Sequence, residues 1–235
     1  MQRDKFEVLT WAGMNRVRMG IQSGSERLLK FYKRPTPIAK VESAAAVIAE
    51  FSRYHINPSF DIIVDNPIET RQDVVDTLEL LYRLARPFTL NIFSLRLIPN
   101  TVLEKQMQEA GVDIERINSN FCVLRPTFSN VVLYLLTLWR PPRAIFDRLL
   151  ARVRAYSEPQ SSHALLIHLI RIPWLINQGL RHLRFADFSL ITGWPGYWLW
   201  RLGVISTWLK LCGPRMRLEP KLASLAAPAQ QADPA

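Results

Sequence analysis

RVRMGIQSGSERLL, residues 16–29, opens with apolar residues alternating with arginines, passes through Gln22-Ser23-Gly24-Ser25, and leaves on a leucine pair. Alternation of period two reads as a strand, here over 15–21. Polar residues around a glycine read as a turn. The spacing after it predicts one or two helical turns in ERLLKFY, stopped by RPTP. A strand that ends in a polar turn and feeds a helix is the start of a βα unit.

The flanking sequence repeats this unit. Residues 2–12 read as a helix stopped at Gly13. Thr36 and Pro37 are expected to open the next helix as N-cap and first-turn residue. Its apolar positions Ile38, Val41, Ala45, Ile48 and Phe51 mark one buried face. PSFDIIVDNP is a second strand. Its run of Phe60, Ile62, Ile63 and Val64 predicts cover on both faces, as in parallel sheets. Thr70 with Asp73 has the spacing of a capping box, and Val74, Leu78, Leu81 and Leu84 line one side of the helix that follows. TLNIFSLRL is a third strand, and IPNT turns it into a helix over 102–110 closed by Gly111. Strands 35 to 40 residues apart need crossover connections, which make them parallel. The loops after parallel strands share one edge, where α/β folds place their ligands. Three polar loops then form a rim: Gln22–Ser25, Asp65-Asn66-Pro67 with Glu69-Thr70, and Pro99-Asn100-Thr101. Three strands do not close a barrel, so the first is expected to keep an unpaired edge.

In this order and spacing, MGIQSGSERLL, DIIVDNPIET and FSLRLIPNT resemble the second half of the partial (β/α)6 barrel of the radical SAM superfamily. The likeness is to its cobalamin-associated and methylthiotransferase-like branches and covers residues 1–111. It implies three loops that hold S-adenosylmethionine. Carried over by position, Gln22 and Asp61 meet the ribose hydroxyls and Arg34 pairs with the methionyl carboxylate, a match of guanidinium fork to carboxylate. Ser23 and Ser25 add hydroxyl contacts, and Ile63 and Leu97 line the adenine. The bland alternatives stay open: Gln22 as a turn residue and Arg34 as a solvated charge before Pro35. Asp61 sits within an apolar strand, where a carboxylate without a partner is costly. The sequence departs from the family at Asp65 and Asn100, where the family has glycine.

A larger departure concerns the [4Fe–4S] cluster that the resemblance implies. The family holds it on a CxxxCxxC loop, which this chain lacks, and a Gly-Gly-Glu segment is missing too. The expectation is a C-terminal portion of a radical SAM enzyme, its N-terminal barrel half a partner to be supplied. The intact enzyme would cleave S-adenosylmethionine reductively and direct a 5′-deoxyadenosyl radical at a C–H bond of a hydrophobic substrate. Cobalamin is left open as a further cofactor. The competing expectation is a non-catalytic remnant that docks on a membrane or a partner.

Residues 112–217 differ chemically from the first half. Of 235 residues, 30 are Lys or Arg and 20 Asp or Glu, a net charge of +10. Up to residue 115 the two signs balance, so the whole excess lies beyond it, with six of the seven tryptophans. Between residues 163 and 212 the longest charge-free run, 188–200, is 13 residues, short of the roughly 20 that cross a bilayer. Residues 131–139 and 146–156 read as helices joined through Pro141-Pro142. Arginines interleaved with Leu, Ile and Trp favour a peripheral anionic membrane surface over nucleic acid, or else a subdomain covering the barrel. Residues 218–235 have the composition of a disordered tail. Cys122 and Cys212 stand apart, which excludes a disulfide scaffold and points to a reducing, cytoplasmic compartment. The four histidines show no ligand spacing and read as structural.

Overall fold

The computed structural model describes residues 2–119, 127–155, 163–185 and 194–212. The expectations for Cys122, for residues 188–193 of the charge-free run and for the 218–235 tail lie outside these residues.

The chain is α/β. Helix α1 (Arg3–Trp11) precedes strand β1 (Arg18–Gln22), the short helix α2 (Glu26–Phe31) and helix α3 (Ile38–Glu50). Strand β2 (Ser59–Val64), helix α4 (Arg71–Arg83), strand β3 (Thr89–Ser94) and helix α5 (Val102–Glu109) complete the repeat. The sheet order is β1-β2-β3, and both pairings are parallel. β1 is therefore an edge strand, as three unclosed strands require.

Local signals account for most helix boundaries. Gly13 and Gly111 adopt φ of +101° and +71° just beyond α1 and α5, a backbone that glycine takes at little cost. Thr70 and Asp73 form a reciprocal capping box at the start of α4, and the Thr101 side chain accepts the Glu104 N–H at the start of α5. The start of α3 differs from expectation. Its N-cap is Pro37, with no side-chain cap. Thr36 lies one residue outside, with its own N–H turned back to the Arg34 carbonyl at 2.7 Å.

One core fills the space between the sheet and the helices. Phe60, Ile62 and Val64 point from β2 into it and meet Val41, Ala45 and Ile48 of α3 and Leu78 and Leu81 of α4. β2 alternates strictly, with Ser59, Asp61 and Ile63 only partly buried. The expected cover on both faces is corrected: this strand is packed on one face and open on the other.

The basic second half joins the same core. Helices α7 (Phe128–Leu138) and α8 (Arg143–Ala155) follow the short α6 (Ile114–Ser119). They contribute Val132, Leu133, Leu136, Phe146 and Leu150 to the cluster that contains Phe60. Tyr82 of α4 stacks on Phe146 of α8 with ring centroids 4.2 Å apart. Arg143 grips Glu79 with two nitrogens at 2.8 and 3.0 Å. Helix α9 (Ala164–Arg184) then packs on α7, and α10 (Trp194–Arg201) and α11 (Val204–Cys212) pack on each other.

Candidate functional site

The open face of the sheet carries Arg18 and Gly20 from β1, Asp61 and Ile63 from β2, and Asn91 and Phe93 from β3. Strand register places Gly20 beside Asp61, and Asp61 beside Asn91. A break in register follows Gly20, and Gln22 has φ +72°. Left-handed backbone is uncommon for glutamine and marks a local constraint. It returns the Gln22 side chain to the open face. A Cβ built on Gly20 would lie 2.5 Å from Gln22 Nε2 and 3.6 Å from a terminal nitrogen of Arg34. The glutamine amide and the guanidinium thus converge over bare backbone. Arg34 is placed there by the end of α2, where Lys33 is left-handed at φ +54° and the Arg34 N–H bonds to the Leu29 carbonyl at 2.8 Å.

Asp61 is fully engaged. Arg18 Nε lies 2.9 Å from both of its carboxylate oxygens, and Asn91 Nδ2 donates to Oδ1 at 2.9 Å. Arg18 also lies over the Phe93 ring, 5.6 Å from its centroid. Its side chain is 60% exposed, so this partner is exchangeable in a way that a buried one is not.

The serines of the opening turn have a different task from the one expected. Ser23 is fully buried and its hydroxyl meets Thr77 Oγ1 at 3.1 Å. Gly24 N–H donates to the same Thr77 oxygen at 2.9 Å. Ser25 caps α2 by accepting the Leu28 N–H and donates its own proton to Asp73. Arg27 also binds Asp73, and so do the Thr70 N–H at 2.7 Å and the Thr70 hydroxyl at 2.6 Å. Burial would raise the Asp73 carboxyl, but the bonds from Arg27, Ser25 and Thr70 hold it well below the usual carboxylate range. The turn therefore clamps β1 and α2 onto α4. The Ser23 and Ser25 hydroxyls, expected to contact a ligand, are bonded inside the protein in this structure. Leu97 is likewise fully buried, packed in a cluster with Leu95 and Met107, and has no free surface for an adenine. Of the expected residues, Gln22, Arg34, Asp61 and Ile63 share the open face, and Ser23, Ser25 and Leu97 do not.

A cavity of about 420 Å³ lies at the strands' C-terminal edge. Its walls come from the loop after β2 (Asp65, Asn66, Glu69), from Ser94 at the end of β3, and from Asn130 of α7. Only one of the three rim loops lines it. Ile63 borders both this cavity and the open face. Glu69, placed by the sequence on the second rim loop, is one of the wall residues. Burial pushes its carboxyl up to about 8, and Asp65 and Asp73 add to the rise. Glu69 thus holds a proton near neutral pH beside a cavity, the property of a general acid or base. Asp65 and Asn100 have φ of +57° and +65°.

Among the described residues no group of His, Cys, Asp and Glu side chains is placed to hold a metal ion, and Cys212 is an exposed free thiol. A comparison with family models finds no match to this chain, and a comparison with curated proteins finds none.

Proposed function

We propose that this chain carries the S-adenosylmethionine-binding half of a radical SAM-type barrel. One observation carries the reading: Gln22 and Arg34 converge over the bare backbone of Gly20, beside Asp61, on the open face of a parallel sheet. The cradle combines an amide, a cation and a carboxylate without a Cβ beneath them. That donor and acceptor set suits a ribose and an amino-acid carboxylate. The left-handed backbone at Asp65 and Asn100 supports the resemblance, since the family places glycine at both positions.

On this reading Arg34 takes the methionyl carboxylate and Gln22 takes a ribose hydroxyl. Asp61 accepts from the ribose as Arg18 swings towards solvent, and Ile63 gives the base an apolar wall. The family's iron–sulfur cluster does not fit this chain's own donors. It takes three closely spaced cysteines, and the sequence holds two, 90 residues apart. No step is assigned through it, or through cobalamin. What these residues contribute is to bind and orient the nucleotide.

Titration calorimetry of the full chain with S-adenosylmethionine and with S-adenosylhomocysteine tests the reading. Binding of both is expected, weakened about tenfold or more by Arg34→Gln, which removes a charge-assisted bond. Absence of binding overturns the reading. So does binding unchanged in both Arg34→Gln and Asp61→Asn.

A further inference from the structure

Helix α9 is apolar on its outer side. Leu165, Leu169, Ile172, Ile176, Leu180 and Leu183 follow one another at steps of three and four, so they form a single stripe. They are 48–71% exposed. At 1.5 Å per residue the stripe runs about 27 Å. The inner side of α9 is already committed. Ile167 is buried, Trp174 Nε1 donates to Thr89 Oγ1 at 2.9 Å, and an Arg181 nitrogen donates to the Ser52 carbonyl at 3.0 Å. The helix is pinned, so its apolar stripe does not turn inward. Helices α10 and α11 extend the surface, with Trp194, Trp200, Leu202 and Leu211 each at least two-thirds exposed. Trp208 Nε1 ties α11 to the end of α9 through the Leu183 carbonyl at 2.8 Å. Contiguous apolar surface of this extent marks an interaction site.

Charge selects the occupant. Residues 163–185 and 194–212 contain no Asp or Glu, and of their cations Arg181 is held by the Ser52 carbonyl and Arg171 lies over the Tyr134 ring of α7, while Arg184, Arg201 and Lys210 are exposed. A second copy docked on the same surface would bring cations against cations. An anionic lipid surface matches both properties, because it takes apolar side chains below its headgroups and attracts the cations at its plane. Exposed Trp and Tyr suit that boundary. No described helix is long and apolar enough to cross a membrane. We infer that α9, α10 and α11 form a docking face that lies in the surface of an anionic bilayer, with the α9 stripe entering the lipid. This inference is independent of the nucleotide reading.

The test is flotation of the full chain with vesicles of phosphatidylcholine and phosphatidylglycerol (7:3), against phosphatidylcholine alone, at low and high salt. Binding to the anionic vesicles with a blue shift of tryptophan emission is expected, and it weakens as salt rises. Replacing Arg184 and Arg201 together by Gln is expected to weaken binding about 25-fold, roughly five-fold per charge. The pair Leu169→Glu and Ile176→Glu is expected to weaken it on the order of a hundred-fold. Both side chains are exposed, so thermal unfolding of this pair should match the parent. Three results overturn the inference: no flotation with anionic vesicles, flotation unaffected by the stripe substitutions, or a stable dimer in solution that those substitutions dissociate.

Discussion

Replacing Asp73 by Ala is expected to lower stability by about 2–5 kcal/mol at pH 7. Three losses add to this. The capping box at the start of α4 is worth about 1 kcal/mol. The buried Ser25 hydroxyl loses its acceptor, at about 1–3 kcal/mol. The Arg27 bond adds about 1 kcal/mol or less, because the Arg27 side chain is half exposed and solvent screens it. Total stabilities of single domains are about 5–15 kcal/mol, so the variant approaches unfolding. The effect has a pH signature. Asp73 is held below its ordinary value in the folded chain. A carboxyl depressed on folding contributes its full stability above the unfolded pKa, about 3.9, and loses it as pH falls through the folded value. The gap between parent and Asp73→Asn should therefore narrow progressively as pH is lowered from about 5 towards 2. Urea unfolding at a series of pH values measures it. An Asp73→Ala variant within 1 kcal/mol (about fivefold) of the parent at pH 7 would refute the clamp, as would a gap that stays constant into acid.

Gly24→Ala is expected to destabilise by about 1–3 kcal/mol, since the added Cβ would lie 2.5 Å from the Asp76 carbonyl oxygen and 2.6 Å from Thr77 Cα; an unchanged melting temperature would show that the turn does not press on α4. Glu69, with its carboxyl pushed up to about 8, binds more protons folded than unfolded between its ordinary value and 8, so parent stability should fall as pH rises through that window. Glu69→Gln should remove this slope and be the more stable form at pH 8 by urea unfolding, and parallel pH profiles would count against a buried Glu69. Leu97→Ala should cost about 2–5 kcal/mol, and a variant as stable as the parent would mean that Leu97 is not packed as observed.

What was legible in the sequence is what depends on neighbours in the sequence. The three strands and their parallel order follow from spacing alone. Thr70, Asp73 and Gly111 act within one helical turn, and each does what its spacing predicts. Errors at this level are small and local: Pro37 rather than Thr36 caps α3 because the chain between Arg34 and Thr36 turns back on itself. The exposure of β2 was misjudged for a different reason. A run of apolar residues tells how many faces could be buried, and the layers present decide how many are.

The site shows the same division more sharply. Gln22, Ser23 and Ser25 are adjacent in sequence and polar, so nothing in their own chemistry separates them. Their roles diverge because of residues about 50 positions away. Thr77 and Asp73 draw Ser23 and Ser25 down onto α4, and Gln22, held left-handed at the register break, is turned the other way over Gly20. The two outcomes are coupled. A turn anchored on α4 by its serines fixes the backbone from which Gln22 projects, so the clamp positions the cradle without touching a ligand. If the open face binds a nucleotide as proposed, Asp73→Asn should impair that binding as well as stability, whereas Arg34→Gln should impair binding alone. Calorimetric titration beside urea unfolding on the same two variants separates a positioning residue from a binding one. Equal effects of the two substitutions on stability would dissolve the distinction.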